Sequence, residues 1–215
     1  MPPCPAALEA VEAALKSHSH ATGYVNATGL LEARQAIADF HSLPDPNSVI
    51  VANGCSGALE IALTALLDPG TILLVPQPGF PLYQVIAESH GATVMHYNLL
   101  PDKNWEVDLN HLEELVLKHD SLIRGILVNN PSNPTGSVFS RKHLESLAKF
   151  AKRHHLPIVA DEVYGDLTFG EHTFHPMADV AASLGREVPV ITASGLGKQF
   201  LVPGWRIGWV AFQDK

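Results

Sequence analysis

A lysine among small residues is the first feature of this sequence that could carry chemistry. Residues 194–198 read Ser-Gly-Leu-Gly-Lys and directly follow an apolar run, 188–193, that is typical of a β-strand. Glycines at the end of a strand let the backbone approach a ligand closely, and a lysine amine can add to a carbonyl group. A solvent-facing lysine in a glycine-rich turn is the plainer interpretation, and this segment alone does not exclude it.

Two further polar segments also follow apolar runs. Residues 129–136 read Asn-Asn-Pro-Ser-Asn-Pro-Thr-Gly after the run 122–128, and residues 161–164 read Asp-Glu-Val-Tyr after the run 156–160. Because the carboxyl ends of parallel strands lie along one edge of a sheet, all three segments should meet in one crevice. We therefore expect asparagine, aspartate, tyrosine and lysine side chains to converge there.

The elements that must position these segments alternate along the chain. Strand-type runs are predicted at 49–52, 71–75, 92–97, 122–128, 157–160, 188–193 and 208–212, and helices at 5–16, 29–40, 57–67, 81–90, 108–118, 141–155 and 177–184. This alternation predicts a three-layer α/β/α fold with a mostly parallel, roughly seven-stranded sheet. No internal repeat or linker divides the chain, so we expect a single domain.

The composition narrows the class of protein. Fourteen basic and 22 acidic residues give a formal net charge of -8, spread without long runs, which disfavours a surface for nucleic acid or anionic membrane. No apolar stretch approaches the roughly 18 residues of a membrane span, and the first residues do not resemble a secretory signal. The two cysteines, Cys4 and Cys55, make no disulfide framework. We therefore expect a cytoplasmic protein.

The 12 histidines raise the question of a metal site. They include three close pairs, which are His18 and His20, His154 and His155, and His172 and His175. None of these pairs has the ligand spacing of the common zinc sites. We therefore predict no bound metal.

The loop after the first predicted strand, residues 53–57, reads Asn-Gly-Cys-Ser-Gly and opens a helix. Free N–H groups and the helix dipole favour a phosphate at such a position, where small residues allow close approach. A plain strand-to-helix turn explains the loop equally well. Because the loop lacks the spacing of the common nucleotide-binding motifs, we do not favour nucleotide binding.

Four motifs in register resemble the class I and II aminotransferases of pyridoxal-phosphate fold type I, and within them the tyrosine aminotransferases. They are Asn-Pro-Ser-Asn-Pro-Thr-Gly at 130–136, Ala-Asp-Glu-Val-Tyr at 160–164, Ser-Gly-Leu-Gly-Lys at 194–198 and Pro-Gly-Trp-Arg-Ile-Gly-Trp at 203–209. The resemblance extends across nearly all 215 residues. It implies that residues 1–215 form most of a large domain that binds pyridoxal 5'-phosphate.

The resemblance also implies the roles of the main site residues. Lys198 would form the Schiff base with the cofactor aldehyde, and Asp161 would pair with the pyridine nitrogen. Tyr164 and Asn133 would donate to the phenolic oxygen of the ring, and the Arg206 guanidinium would bind the phosphate. Taken singly, Asp161 could instead be a capping carboxylate and Arg206 a surface cation.

Further phosphate contacts are implied by the same resemblance. Cys55 and Ser56 lie at the predicted helix start, where they would bind the phosphate together with the helix N-terminus. Gly195 stands where many relatives carry a phosphate-binding serine, and Ser194 lies one residue earlier. We include Ser194 among the cofactor-binding candidates.

Aromatic residues complete the implied site. Phe80 would stack on the cofactor ring, with Tyr83 as the neighbouring alternative. Tyr24 resembles the tyrosine that reaches the partner's cofactor phosphate across a dimer interface, which implies a homodimer, although an ordinary loop tyrosine explains it almost as well. Glu162 is left out, because its neighbour Asp161 has the better match.

The implied reaction is transamination of an aromatic L-amino acid, similar to tyrosine, with a 2-oxo acid such as 2-oxoglutarate. We expect a partial chain that lacks the small C-terminal domain and its carboxylate-binding arginine, and that binds the cofactor weakly and turns over slowly. Three alternatives stay open. They are an alanine or kynurenine transaminase, a carbon–sulfur lyase on the same fold, and a non-catalytic cofactor-binding or dimerisation module.

Overall fold

The computed structural model describes residues 3–17, 23–185 and 187–213. Its helices are α1 (Pro5–Ser17), α2 (Leu31–Phe40), α3 (Gly54–Leu66), α4 (Leu82–Ser89), α5 (Leu109–His119), α6 (Arg141–Arg153), α7 (Met177–Ser183) and α8 (Leu196–Gln199). Its strands are β1 (Val49–Asn53), β2 (Ile72–Gln77), β3 (Thr93–Leu100), β4 (Glu106–Val107), β5 (Ile123–Asn129), β6 (Ile158–Asp161), β7 (Val190–Gly195) and β8 (Ile207–Gln213).

The strands form one sheet in the order β1-β8-β7-β6-β5-β2-β3-β4. The pairs from β7 through to β3 are parallel, whereas β8 runs antiparallel to both β1 and β7, and β4 runs antiparallel to β3. The predicted α/β fold with a mostly parallel sheet is therefore confirmed. The additional strand, β4, was not predicted because two residues are too few to show a periodic pattern.

Helices cover both faces of the sheet, and successive strand residues alternate between them. One face packs α3 and α4 against side chains such as Leu73, Val159 and Ala193. The opposite face packs α5, α6 and α7 against side chains such as Ile158 and Val190. Because both faces are covered, the central strands are almost entirely apolar.

Helix α2 begins two residues later than the sequence predicts. Gly29, the predicted first residue, has a left-handed φ of +103°, and a Cβ there would lie 2.6 Å from Cγ2 of Val51. Only glycine fits such a close approach to β1. The buried guanidinium of Arg34 holds this turn in place, donating to the carbonyls of Gly29 and Pro46.

Helix α1 forms as predicted, but its apolar side chains are not in a core. Leu8 and Val11 are each 42% exposed, and Leu15 is 61% exposed. These three side chains of the predicted amphipathic pattern are therefore exposed in the single chain. Within those same residues, no helix is both long and apolar enough to cross a membrane.

Candidate active site

A cleft of about 310 Å³ opens where the parallel strands end, on the face of the sheet that carries α3 and α4. The structure brings most of the predicted site residues together in its lining. They are Cys55, Ser56, Phe80, Asn133, Asp161, Tyr164, Lys198 and Arg206. The convergence expected from the strand order is therefore seen, although these segments lie far apart in the sequence.

Asp161, the last residue of β6, is a buried carboxylate at the floor of the cleft. Its Oδ2 accepts a hydrogen bond of 2.7 Å from the hydroxyl of Tyr83. Its Oδ1 lies 3.6 Å from Sγ of Cys55 and accepts from the backbone N–H of Val163 at 3.3 Å. Burial raises the pKa of Asp161, and these three hydrogen bonds act in the opposite direction.

The thiol and the phenol beside Asp161 remain protonated. Burial raises the pKa of both Cys55 and Tyr83, and the nearby Asp161 charge raises each further. Each group can therefore donate to the carboxylate. The carboxylate is stabilised by hydrogen-bond donors, and no ion pair to it is found among the described residues.

Lys198 lies on the short helix α8, which follows β7 without an intervening loop. The sequence analysis assigned no helix here, because a four-residue helix is too short for an apolar period to show. The Nζ atom lies 5.6 Å from the ring centroid of Tyr164. Among the described residues Lys198 forms no ion pair, so its amine is available to a ligand in the cleft.

Arg206 and the start of α3 form a positive corner of the cleft. Arg206 has a left-handed φ of 54°, and its Nη1 and Nη2 donate to the carbonyls of Pro203 and Asn53 at 3.2 and 3.3 Å. A Cβ on Gly54 would lie 2.4 Å from Nη2, so a glycine is needed for the guanidinium to lie there. With the free N–H groups of the first α3 turn and Ser56 beside it, this corner suits a phosphate.

Asn129 organises the loop that carries Asn133, a role that the sequence reasoning missed. Its amide group donates to the carbonyl of Asp161 at 3.2 Å and to that of Pro131 at 3.3 Å. Its Oδ1 accepts from the backbone N–H of Asn133 at 2.7 Å. A buried asparagine at the end of an apolar strand is the signal that could have indicated this role, because its amide must find partners.

Tyr83 lines the cleft next to Phe80 and makes a contact that the sequence did not indicate. It was the alternative stacking residue, yet it is buried and its hydroxyl binds Asp161. Phe80 lines the cleft with its ring centroid 5.8 Å from that of Tyr83, and the two ring planes lie 81° apart. The three-residue spacing at the start of α4 is the signal that could have shown the two rings to be neighbours.

Ser194 does not lie in the cleft, which corrects its place among the candidates. Strand β7 extends to Gly195, and alternation puts Ser194 on the opposite face of the sheet from Ala193 and Gly195. Ser194 instead lines a second cavity, of about 280 Å³, together with Glu162 and His41. At Gly195 itself, a Cβ would lie 2.7 Å from the Ile207 carbonyl oxygen.

Tyr24 is also not among the residues that line the cleft. Its side chain is fully exposed in the single chain. Of the histidine pairs considered above, His18 and His20 lie outside the described residues. Within the described part of the chain, no group of three or more histidine, cysteine, aspartate or glutamate residues is arranged to hold a metal ion.

The fold and this cleft define a class of protein: a doubly wound α/β domain with a lysine, a buried carboxylate and an anion corner at its strand ends. The model of the family "Aminotransferase class I and II" matches residues 1–215. The chain belongs to this family.

Individual relatives agree with the family assignment. Tyrosine aminotransferase of Bos taurus is 44% identical over 219 residues, which cover 100% of this chain and 47% of the relative. That of Dictyostelium discoideum is 48% identical over 197 residues, covering 90% of this chain and 46% of the relative. The chain therefore spans about half the length of the curated relatives it matches.

Solved structures show the same similarity. Tyrosine aminotransferase from Leishmania infantum superposes with a TM-score of 0.91 at 31% identity, covering 100% of this chain and 58% of that structure. An aminotransferase from Escherichia coli gives a TM-score of 0.92 at 29% identity, covering 100% of this chain and 52% of that structure. The sheet and helices described above are therefore those of known aminotransferases.

Proposed function

We propose that this chain is the cofactor-binding large domain of a pyridoxal-phosphate-dependent aminotransferase. One observation carries the proposal: Lys198, Asp161 and Arg206 converge in a single cleft. The substrate would be an aromatic L-amino acid similar to tyrosine, and the acceptor a 2-oxo acid such as 2-oxoglutarate. Support for the aromatic substrate comes from the relatives that are named tyrosine aminotransferases.

The residues present fit pyridoxal 5'-phosphate. The corner at Arg206 and Ser56 offers a guanidinium and the N-terminus of α3 for a phosphate. On the floor of the cleft, Asp161 offers a hydrogen-bonded carboxylate for a protonated ring nitrogen. When bound, the pyridine ring supplies an electron sink for negative charge at the substrate α-carbon.

Each residue then has a defined task. The Lys198 amine would hold the cofactor covalently and, when free, would take the proton from the substrate α-carbon. Asp161 would keep the ring nitrogen protonated. Tyr164, Asn133 and Phe80 line the same cleft. Tyr164 and Asn133 would orient the ring by donating to its phenolic oxygen, and Phe80 would stack on the ring.

The oligomeric state and the cellular location are also part of the proposal. We propose a homodimer in which the fully exposed Tyr24 of one protomer reaches the cofactor phosphate of its partner. A cytoplasmic location stays our prediction.

Reductive trapping tests the lysine assignment. The purified chain is incubated with pyridoxal phosphate, reduced with borohydride and mapped by peptide mass. We expect the pyridoxyl group on Lys198, and its loss in Lys198→Ala. Lys149→Ala, which removes an exposed lysine of α6, is the matched control and should label like wild type. Labelling scattered over many lysines and unchanged in Lys198→Ala would reject the proposal.

A substrate panel tests the reaction. Tyrosine, phenylalanine, alanine and kynurenine are offered with 2-oxoglutarate, and the oxo-acid products are measured. We expect aromatic substrates to be preferred and turnover by this chain to be well below the roughly 1 per second typical of slower enzymes. Release of ammonia or sulfide in place of an oxo acid would indicate a lyase, and preference for alanine or kynurenine would reject the aromatic assignment.

A further inference from the structure

We propose that Tyr83 is a positioning residue: by holding Oδ2 of Asp161 it fixes the orientation in which the carboxylate meets the cofactor ring nitrogen. This inference rests on the proposed function and assigns a new residue to it. The sequence placed Tyr83 only as an alternative stacking aromatic. The contacts of its hydroxyl group give it a separate task.

The geometry of the hydroxyl group is the first argument. Tyr83 lies in the first turn of α4 and is 1% exposed. Its hydroxyl reaches the end of β6 and donates to Oδ2 of Asp161 at 2.7 Å. This is the shortest hydrogen bond described for that carboxylate, and it joins residues 78 positions apart in the sequence. It fixes the rotation of the carboxylate, which a ligand in the cleft would otherwise have to order at an entropic cost.

The hydrogen bonds to the two carboxylate oxygens of Asp161 also differ in length. Oδ2 has the short phenol contact, whereas Oδ1 has only the Val163 N–H at 3.3 Å and the Cys55 thiol at 3.6 Å. The phenol bond is therefore the contact that most strongly restricts how the carboxylate is oriented. The Tyr83 bond also opposes the rise that burial causes in the pKa of Asp161, which favours the charged form.

The ring of Tyr83 contacts Phe80, whereas its hydroxyl group contacts Asp161. Its edge-on contact with Phe80, at 5.8 Å between centroids, supports the side chain predicted to stack on the cofactor. A phenylalanine at position 83 would keep that ring contact and remove only the hydroxyl group. Tyr83→Phe therefore isolates the effect on Asp161.

The chain provides a matched control. Tyr97 is equally buried, and its hydroxyl donates to the backbone carbonyl of Leu127 at 2.8 Å. Tyr97→Phe removes the same group and a hydrogen bond of similar length, but it removes no bond to Asp161. We expect the two variants to lower Tm by a similar few degrees. Tyr83→Phe alone should weaken pyridoxal phosphate binding, by about tenfold in Kd.

The second readout is the pH at which the absorbance of the bound cofactor changes. The titratable and charged groups near Asp161 and Tyr83 are Cys55, Tyr97, Glu162 and Arg206, and Lys198 and Tyr164 line the same cleft. The variant leaves all of them in place. We expect the midpoint to rise by about half a pH unit in Tyr83→Phe, because a less firmly held carboxylate leaves less positive charge on the ring. If Tyr83 had only a structural role, Tyr83→Phe would have the same midpoint as Tyr97→Phe.

The outcomes separate this inference from the proposed function. If wild type is trapped at Lys198 but Tyr83→Phe matches Tyr97→Phe in both Kd and midpoint, the positioning role is wrong and the proposed function stands. If wild type gives no specific Lys198 label, the proposed function fails and this inference fails with it. A weaker Kd and a shifted midpoint confined to Tyr83→Phe would support the role.

Discussion

Asp161 and Glu162 are neighbours in the chain, and both are buried acids, but they serve opposite faces of the sheet. Asp161 points toward α3 and α4, where Tyr83, Cys55 and the Val163 N–H surround it with three donors. Glu162 points the other way, and its Oε1 accepts a single hydrogen bond of 2.7 Å from the N–H of Met177, at the start of α7. Three donors therefore oppose the effect of burial on the pKa of Asp161, whereas a single donor opposes it on the pKa of Glu162.

The surroundings of Glu162 support this contrast. Burial raises the pKa of Glu162 to about 8, with smaller contributions from Asp179 and Asp161. His41 lines the same cavity, and burial lowers its pKa to about 4, so it is neutral at pH 7. Its Nε2 accepts from the indole N–H of Trp209 at 2.8 Å. These two groups on the far side of the sheet are held neutral and make structural contacts.

The comparison shows that burial alone does not identify a catalytic acid. Both side chains are more than nine-tenths buried, and burial raises the pKa of each. What differs is the number of donors and the presence of an open cleft with a lysine and an arginine. Strand alternation decides which acid receives that environment. Substitutions at these paired positions test the contrast directly.

The largest expected effect is on cofactor affinity. Asp161→Asn keeps the shape of the side chain but removes the charge that would pair with the ring nitrogen. Breaking a buried charge pair costs about 3 kcal/mol or more, so we expect Kd for pyridoxal phosphate to rise by roughly 100-fold. An absorbance titration of the purified chain with pyridoxal phosphate measures this change.

Glu162→Gln is the matched control for that experiment. It makes the same acid-to-amide change one residue away, and we expect its Kd to lie within about threefold of wild type. Equal loss of affinity in the two variants would mean that the faces of the sheet are not functionally distinct.

A smaller effect is expected on the free energy of unfolding when Glu162 is replaced. The folded protein holds the Glu162 proton up to a pKa of about 8, above the ordinary value of 4.5. The stability from this group is therefore complete below pH 4.5 and is lost as the pH rises through 8. Glu162→Gln, whose amide oxygen can still accept from Met177, should remove this loss and gain roughly 1–3 kcal/mol over wild type at pH 8.5.

Urea unfolding at several pH values between 6.5 and 8.5 measures that gain. His41 is present in both proteins, so the contribution of its lowered pKa cancels when the two pH profiles are compared. Asp161 is present in both proteins and cancels in the difference. A variant whose stability falls with pH as steeply as that of wild type would show that Glu162 is not held protonated.

Alternation of side chains along the strands also explains which parts of the structure could be predicted from the sequence. Apolar runs and polar residues at their ends identified the parallel sheet and brought Lys198 and Asp161 to one edge, because those patterns reflect burial on two faces. Ser194 was misplaced because β7 continues two residues beyond its apolar run, which turns that side chain to the other face. Tyr83 was underestimated because its bond to Asp161 depends on how α4 packs, and local sequence does not show that.

The smallest expected effect separates the two serines proposed for the phosphate. Ser56 lies in the cleft at the first turn of α3, beside Arg206, whereas Ser194 lines the far cavity. Loss of one hydrogen bond to a charged group costs about 1.5 kcal/mol, so Ser56→Ala should raise Kd for pyridoxal phosphate by roughly tenfold. Ser194→Ala should leave Kd unchanged, because no phosphate on the cleft side can reach it. Titrating inorganic phosphate as a competitor in each variant shows whether the loss lies in the phosphate corner. A tenfold effect of Ser194→Ala, with none from Ser56→Ala, would contradict the assignment of the two faces.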